Sequence, residues 1–184
     1  MKTKSHIQIS AGAVLLSAAL WFFCDGAVLL SLLGAVAFHE LGHLLALRGC
    51  GCRVTALRAD AGGLTLCRRG AMSPAGETVC ALAGPALGAA YALCASRLGN
   101  ALHSETLAMS AGMSLALSLF NLLPAPPLDG GRVLAALAGE TAAARLGLLL
   151  SACLLSAGLA LLARGWGMGL FLAGVWLTLA QADL

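Results

Sequence analysis

The sequence is poor in charged and aromatic residues. Of its 184 residues, 10% are Asp, Glu, Lys or Arg and 5% are aromatic, whereas a soluble domain carries about 25% charged residues. With 60% hydrophobic residues, the chain is too apolar for its side chains to be hidden in one soluble core. The scarcity of aromatic rings and a net charge of only +3 also exclude a nucleic-acid-binding protein. The composition predicts an all-α polytopic protein of the lipid bilayer.

Apolar runs close to the roughly 20 residues that a membrane-spanning helix needs divide the chain. We predict about six spans, at residues 9–24, 27–47, 78–96, 106–123, 146–163 and 166–180, and a shorter amphipathic segment at 131–144. The first run is expected to be an uncleaved span rather than a signal peptide, because no convincing A-x-A site precedes Asp25. We interpret residues 1–184 as a single integral membrane domain.

The positions of Lys and Arg predict the orientation in the membrane. If the N-terminus is cytoplasmic and the six spans alternate, only Arg97 and Arg164 fall on the outer side. The remaining basic residues are then cytoplasmic: Lys2, Lys4, Arg48, Arg53, Arg58, Arg68, Arg69, Arg132 and Arg145. This bias follows the positive-inside rule and predicts that both termini are cytoplasmic.

A polar segment, residues 48–77, follows the second run. Short strand-like stretches flank Gly62 and Gly63, which predicts a β-hairpin. Two interpretations stay open: a surface hairpin, or an edge strand that pairs with an extended peptide.

The seven cysteines are odd in number and have no disulfide-framework spacing. Several lie inside apolar runs, where they act as small hydrophobic residues, so we expect no disulfides. Cys50, Cys52 and Cys67 share the polar segment and could bind a metal.

Three ionisable side chains lie within the second apolar run, in the order His39, Glu40 and His43. Such side chains are energetically costly to place inside a membrane. This is the pattern H-E-x-x-H. On a helix, residues four apart share one face, so both imidazoles can reach one Zn²⁺. Glu40 is rotated by about 100° and can meet a water instead of the metal. A pair of histidines that only packs between helices is the competing interpretation, and it is weak inside an apolar span.

A second polar constellation follows the fourth run, in the segment Asn121-Leu-Leu-Pro-Ala-Pro-Pro-Leu-Asp-Gly-Gly. Its prolines end the helix, and Gly130 and Gly131 permit a sharp backbone path. By the predicted orientation, both the second and the fourth run descend toward the cytoplasm. Asp129 is then in the same leaflet as His39 and His43 and can supply the third ligand that a catalytic zinc usually has.

Together the two patterns resemble the site-2 protease family of intramembrane zinc metalloproteases (M50). His39, Glu40 and His43 match the family's first motif, and Asn121, Pro126 and Asp129 belong to a segment that matches N-x-x-P-x-P-x-L-D-G. The family core would cover residues 27–130. Gly84 and Pro85 match the family's G-P-x-x-N segment, in which Gly88 stands where Asn is usual. The small six-span layout is similar to the stage IV sporulation protein FB branch, and we expect neither a CBS nor a PDZ domain.

The resemblance implies regulated intramembrane proteolysis in a bacterial membrane. One Zn²⁺ would be held by His39, His43 and Asp129, and Glu40 would be the catalytic base. Asn121 and Pro126 would contact the substrate, while the hairpin at Gly62 and Gly63 would hold it extended. The implied substrate is a membrane-associated protein such as a sigma-factor precursor, and regulatory membrane proteins are further possible partners. The alternatives are a different membrane metallohydrolase, a metal transporter and a catalytically inactive scaffold.

Overall fold

The computed structural model describes residues 6–60, 63–69 and 72–182. Contacts within the chain define two compact units, one that ends at Phe120 and one that begins at Asn121. The first contains the strands β1 (His6–Ile9), β2 (Arg53–Asp60) and β3 (Gly63–Arg69) and the helices α1 (Ala11–Phe23), α2 (Gly26–Gly49), α3 (Pro74–Leu102) and α4 (Glu105–Asn121). The second contains α5 (Asp129–Ala138), α6 (Glu140–Ala163) and α7 (Gly169–Ala182).

The three strands form one sheet in the order β1-β2-β3. β2 and β3 are antiparallel, with Asp60 opposite Gly63 at the turn end, and β1 is parallel to β2. Gly62, in the predicted turn, lies outside the described residues. The strand β1 was not predicted, and it takes Ile9 out of the first apolar run. The helix α1 then begins at Ala11, because the Ser10 hydroxyl accepts a hydrogen bond from the Ala13 amide.

Three helices of the described chain, α2, α3 and α6, are long and apolar enough to cross a membrane. α1 and α7 are apolar but shorter, with 13 and 14 residues. Large apolar side chains such as Leu33 and Leu149, both 64% exposed, cover the outside of the long helices. Small and hydroxyl side chains such as Ser31, Ser114 and Ser151 are buried. This distribution is typical of membrane helices, which pack through small residues because lipid already solvates the large ones. The six-span count remains a prediction.

In the first unit, glycines and hydroxyl groups bring α2, α3 and α4 close together. A Cβ atom on Gly42 of α2 would overlap the carbonyl of Ala83 on α3. The Tyr91 hydroxyl of α3 lies 2.7 Å from Ser110 Oγ of α4, and Ser110 donates to the Ser31 carbonyl of α2. The polar side chains of α2 are therefore held close to α3, because the two helix backbones are in contact at Gly42.

In the second unit, Gly139 divides the segment that we predicted as one amphipathic piece at 131–144. Its φ of 90° ends α5, and α6 begins at the next residue. α6 and α7 pack closely because Gly158 lies against the backbone of Phe171, and Gln181 donates to Ser151 Oγ at 2.8 Å.

Candidate active site

His39 and His43 lie four residues apart on α2, so their imidazoles leave the helix on one face. Both side chains are buried, at 5% and 7% exposure. Their Nε2 atoms face each other at 3.2 Å. Two nitrogens that ligate one tetrahedral Zn²⁺ at about 2.0–2.1 Å lie about 3.3 Å apart. The pair therefore has the spacing of two ligands of one zinc ion.

The ring of His43 is fixed in one tautomer by a backbone group. Its Nδ1 lies 2.8 Å from the carbonyl oxygen of Cys80 on α3. Because a carbonyl only accepts, His43 Nδ1 carries the proton, and the lone pair of the neutral ring is on Nε2. This is the arrangement in which a metal-ligating histidine is usually held. Sequence reasoning missed this partner, since a backbone carbonyl leaves no signal in a residue pattern.

Gly84 makes room for the His43 ring. A Cβ atom on Gly84 would overlap His43 Nε2 and would lie 2.5 Å from its Cε1. Gly42, the residue before His43 on α2, allows α2 to approach α3 closely enough for the Cys80 contact. The glycine of the G-P-x-x-N segment thus has a steric role beside the histidine.

Glu40 follows His39 on α2 and is half-buried. One residue along a helix turns the side chain by about 100°, so Glu40 leaves the helix away from the face shared by the two imidazoles. This placement fits a carboxylate that acts on water rather than one that binds the metal.

Asp129 is the first residue of α5 in the second unit and is buried, at 6% exposure. Arg132 Nη1 donates to its Oδ1 at 3.2 Å. Gly130 and Gly131 allow the preceding loop to fold onto the start of α5, since Cβ atoms there would overlap the backbone at Leu122 and at Ala125. Arg132 was not predicted as a site residue, although its spacing of three from Asp129 on a helix is a usable signal.

The other predicted site residues are spread over both units. Asn121 is the last residue of α4 and is half-buried. Pro126 is half-buried in the loop before α5 and lines a pocket of the second unit together with Arg132 and Gln181. Gly63 is the first residue of β3 and pairs with Asp60. Gly62 is outside the described residues.

The donor atoms of His39, His43 and Asp129 fit a zinc ion by their chemistry. All three side chains are buried. Two imidazoles and one carboxylate are a ligand set of catalytic zinc sites, which keep a further position for water. The tautomer of His43 leaves its Nε2 lone pair available, so the residues present suit Zn²⁺.

Part of the chain is similar to a known peptidase family. Residues 81–164 match the model of Peptidase family M50. The M50 segment begins after His43 and includes Asn121, Pro126 and Asp129.

Two relatives of known name are similar to a larger part of the chain. Over 171 residues, the chain is 33% identical to Rip3 of Mycobacterium tuberculosis, which is named as a zinc metalloprotease; the match covers 83% of this chain and 42% of Rip3. It is 33% identical over 111 residues to sll0528 of Synechocystis, also named as a zinc metalloprotease, covering 57% of this chain and 29% of that protein. The chain therefore spans less than half the length of these two relatives.

The fold is similar to that of a solved structure. The structure of the site-2 protease from Methanocaldococcus jannaschii is similar, with a TM-score of 0.75 and 20% sequence identity. The similarity covers 100% of this chain and 92% of that one. At this identity the likeness shows the fold.

Proposed function

We propose that this chain is an intramembrane zinc metalloprotease that hydrolyses a peptide bond of a membrane-associated protein. The observation that carries the proposal is the pair of facing Nε2 atoms of His39 and His43, 3.2 Å apart, with the tautomer of His43 fixed by Cys80. The M50 match and the names of the two relatives support the same reaction class.

His39, His43 and Asp129 are the proposed ligands of one Zn²⁺. When bound there, the ion supplies a Lewis acid and lowers the pKa of its water to about 7. Arg132 is placed to orient the Asp129 carboxylate, because it donates to one of the two oxygens. The other oxygen of Asp129 is then the one offered to the metal.

Glu40 is the proposed general base and acid. Its carboxylate takes a proton from the water that attacks the scissile carbonyl, and later gives this proton to the leaving amine nitrogen. The position of Glu40, one residue from a ligand but off the ligand face of α2, suits this task. A positioned carboxylate of this kind typically contributes about 10²–10⁴-fold to the rate.

The substrate must be locally extended at the scissile bond, because a helix hides its carbonyls in internal hydrogen bonds. We propose that β3, which has one strand neighbour within the described sheet, pairs with this extended segment beside Gly62 and Gly63. Asn121, at the end of α4, would hydrogen-bond the substrate backbone, and Pro126 would line the path. A stretched segment of a membrane protein is therefore the proposed form of the substrate.

The finer assignment is also a proposal. The small layout with an early H-E-x-x-H is similar to the stage IV sporulation protein FB branch, which favours a sigma-factor precursor as substrate. In this proposal the chain forms one domain of six spans with both termini in the cytoplasm, where water and the precursor can reach the site.

The proposal can be tested by co-expressing the full chain with a membrane-tethered sigma-factor precursor and following cleavage on a gel. The variants are Glu40→Gln and, as a matched control, Glu105→Gln, which makes the same change at an exposed position at the start of α4. We expect cleavage by the wild type and the control. We expect Glu40→Gln to cleave at least about 10²-fold more slowly while it keeps its zinc.

Three results would contradict the proposal at different levels. Cleavage by Glu40→Gln at the wild-type rate would refute the role of Glu40. A purified wild type that contains no zinc and cleaves neither the precursor nor an unstructured membrane-tethered peptide would refute the protease assignment. Cleavage of the peptide but not of the precursor would refute only the sigma-factor substrate.

A further inference from the structure

Ser118 on α4 is buried, at 2% exposure, and its Oγ has no hydrogen-bond partner among the described residues. A buried hydroxyl without a partner costs about 1–3 kcal/mol, so its retention calls for an explanation. The other two serines on this face of α4 do have partners. Ser110 donates to the Ser31 carbonyl, and Ser114 donates to the Gly88 carbonyl at 2.9 Å.

The Ser118 hydroxyl lies close to a proposed zinc ligand. A Cβ atom on Gly88 of α3 would overlap Ser118 Oγ, and it would lie 3.5 Å from Ser114 Oγ and 3.8 Å from His39 Nδ1. Glycine at position 88 therefore lets Ser118 Oγ approach the α3 backbone, in the neighbourhood of His39 Nδ1.

Each of the two histidines needs a hydrogen-bond acceptor for its Nδ1 proton if its Nε2 is to bind a metal. For His39 Nε2 to offer a lone pair to a metal, its Nδ1 must carry the proton, as Nδ1 of His43 does. His43 Nδ1 donates to the Cys80 carbonyl. We propose that Ser118 Oγ is linked to the N–H of His39 Nδ1 through one bridging water, and is thereby a positioning residue for His39. This inference rests on the proposed zinc site.

The test measures zinc affinity by competition with a chelator in the purified full chain, together with the absorption spectrum of the cobalt-substituted protein. We expect Ser118→Ala to bind zinc about 10–100-fold more weakly, as is typical when the partner of a metal-ligating histidine is lost. Ser118→Thr keeps the hydroxyl and should return the affinity to within about threefold of wild type. Ser156→Ala, an exposed hydroxyl on α6, is the matched control and should not change it.

A second measurement separates positioning from packing. In metal-free protein, Ser118→Ala removes a hydroxyl that has no direct hydrogen-bond partner among the described residues, so the midpoint of unfolding should stay the same or rise. A lower midpoint together with unchanged zinc affinity would show a packing role and overturn the inference. Wild-type zinc binding with equal affinity in Ser118→Ala would overturn it while leaving the proposed function intact. A wild type that binds no zinc would overturn both.

Independently of this site, three sulfur atoms meet where α2 ends and α3 begins. Cys80 Sγ lies 3.8 Å from Cys50 Sγ and 3.6 Å from Met72 Sδ. Cys80 is buried at 1% exposure, Met72 is half-buried, and Cys50 is exposed. The cluster, made of Cys50, Met72 and Cys80, is therefore open to solvent on one side. It differs from the predicted set of Cys50, Cys52 and Cys67.

The spacing of these sulfurs suits a three-coordinate soft metal. Three sulfurs at about 2.3 Å from one ion in a plane lie about 4 Å apart, close to the two distances observed. Thiolate and thioether ligands together select Cu(I). We propose that this cluster is a binding site for one Cu(I) ion, with the two thiol protons released to solvent on binding.

The test is an anaerobic titration of the zinc-loaded full chain with Cu(I) against a Cu(I)-specific chelator. We expect one Cu(I) per chain with a shell of sulfur ligands in X-ray absorption, loss of binding in Cys50→Ser, and at least tenfold weaker binding in Met72→Leu. Cys94→Ser removes an exposed thiol of α3 and should bind as wild type does. Failure of the wild type to bind Cu(I), unchanged binding in Cys50→Ser and Met72→Leu, or a Cys50–Cys80 disulfide in the purified protein would each overturn the proposal.

Discussion

The imidazole of His43 is confined by three contacts of different kinds. The Cys80 carbonyl holds Nδ1, Nε2 of His39 stands 3.2 Å from its own Nε2, and Gly84 lies against the ring. A histidine with a fixed tautomer and little rotational freedom offers its lone pair in one direction. This preorganisation lowers the cost of binding a metal, because little of the site has to be reordered.

Adding one methyl group beside this ring should therefore disable the site. In Gly84→Ala the new Cβ would overlap His43 Nε2, so the ring must turn and lose the Cys80 contact. We expect at least about tenfold weaker zinc binding and a matching loss of cleavage. The control is Gly112→Ala on α4, where a Cβ meets nothing within 4 Å. Zinc titration of both variants checks the prediction, and equal affinities would contradict it.

The carboxylate of Asp129 provides a second prediction at the scale of single residues. Asp129→Asn keeps the size of the side chain and removes its negative charge, so a metal ligand would become a weaker donor and Arg132 would lose its ion pair. We expect lower zinc affinity and loss of cleavage, measured by zinc content after dialysis. Glu140→Gln, an exposed carboxylate at the start of α6, is the control. Full zinc content in Asp129→Asn would show that the third ligand is another group.

At the scale of elements, the long helices were predictable and the partners between them were not. Apolar length alone placed α2, α3 and α6, because lipid-facing helices need long apolar runs. The strand β1 was missed, since four residues carry little periodicity and its parallel partner lies far along the chain. The division between α5 and α6 at Gly139 was also missed. The presence of a glycine in an amphipathic segment does not by itself predict that its φ is positive.

The candidate site shows the same division. The patterns around His39, Glu40 and His43 and around Asp129 led directly to the candidate ligands and base. The group that orients His43 was not predicted, because it is a backbone carbonyl, at Cys80 on another helix. Contacts between elements depend on where the helices cross, and a residue pattern within one helix does not contain that information.

Hydroxyl groups that link the helices should contribute measurably to stability. Ser110 on α4 is 2.7 Å from the Tyr91 hydroxyl and donates to the Ser31 carbonyl. In Ser110→Ala both contacts are lost, and hydrogen bonds between membrane helices average about 0.6 kcal/mol, with a maximum near 1.7 kcal/mol. We expect a loss of roughly 1–2 kcal/mol in the free energy of unfolding, measured by detergent titration. Ser156→Ala is the control, and equal effects of the two changes would contradict the prediction.

At the scale of the whole molecule, helix length and charge distribution give separate information about the membrane. α1 and α7, with 13 and 14 residues, are about 20 Å long, which is shorter than the roughly 30 Å of hydrocarbon. A helix shorter than the hydrocarbon core can still span the membrane at a modest cost in free energy. The bilayer can become thinner locally, or flanking apolar and anchoring side chains can extend the span. The lengths of these helices therefore do not determine the number of spans. The positions of Lys and Arg do predict which side of the membrane each connection lies on.

That prediction is that both termini are cytoplasmic and that the connection between α3 and α4 is outside. The basic residues lie overwhelmingly on the predicted inner side, and translocating them would cost more than leaving them there. A green fluorescent protein fused after Leu184 should fluoresce, since it folds in the cytoplasm. An epitope inserted between His103 and Ser104 should bind antibody on intact spheroplasts. A fusion protein that does not fluoresce, together with an accessible epitope, would mean an odd number of spans. An epitope that binds antibody only after lysis would mean that α3 and α4 have the opposite orientation to the predicted one.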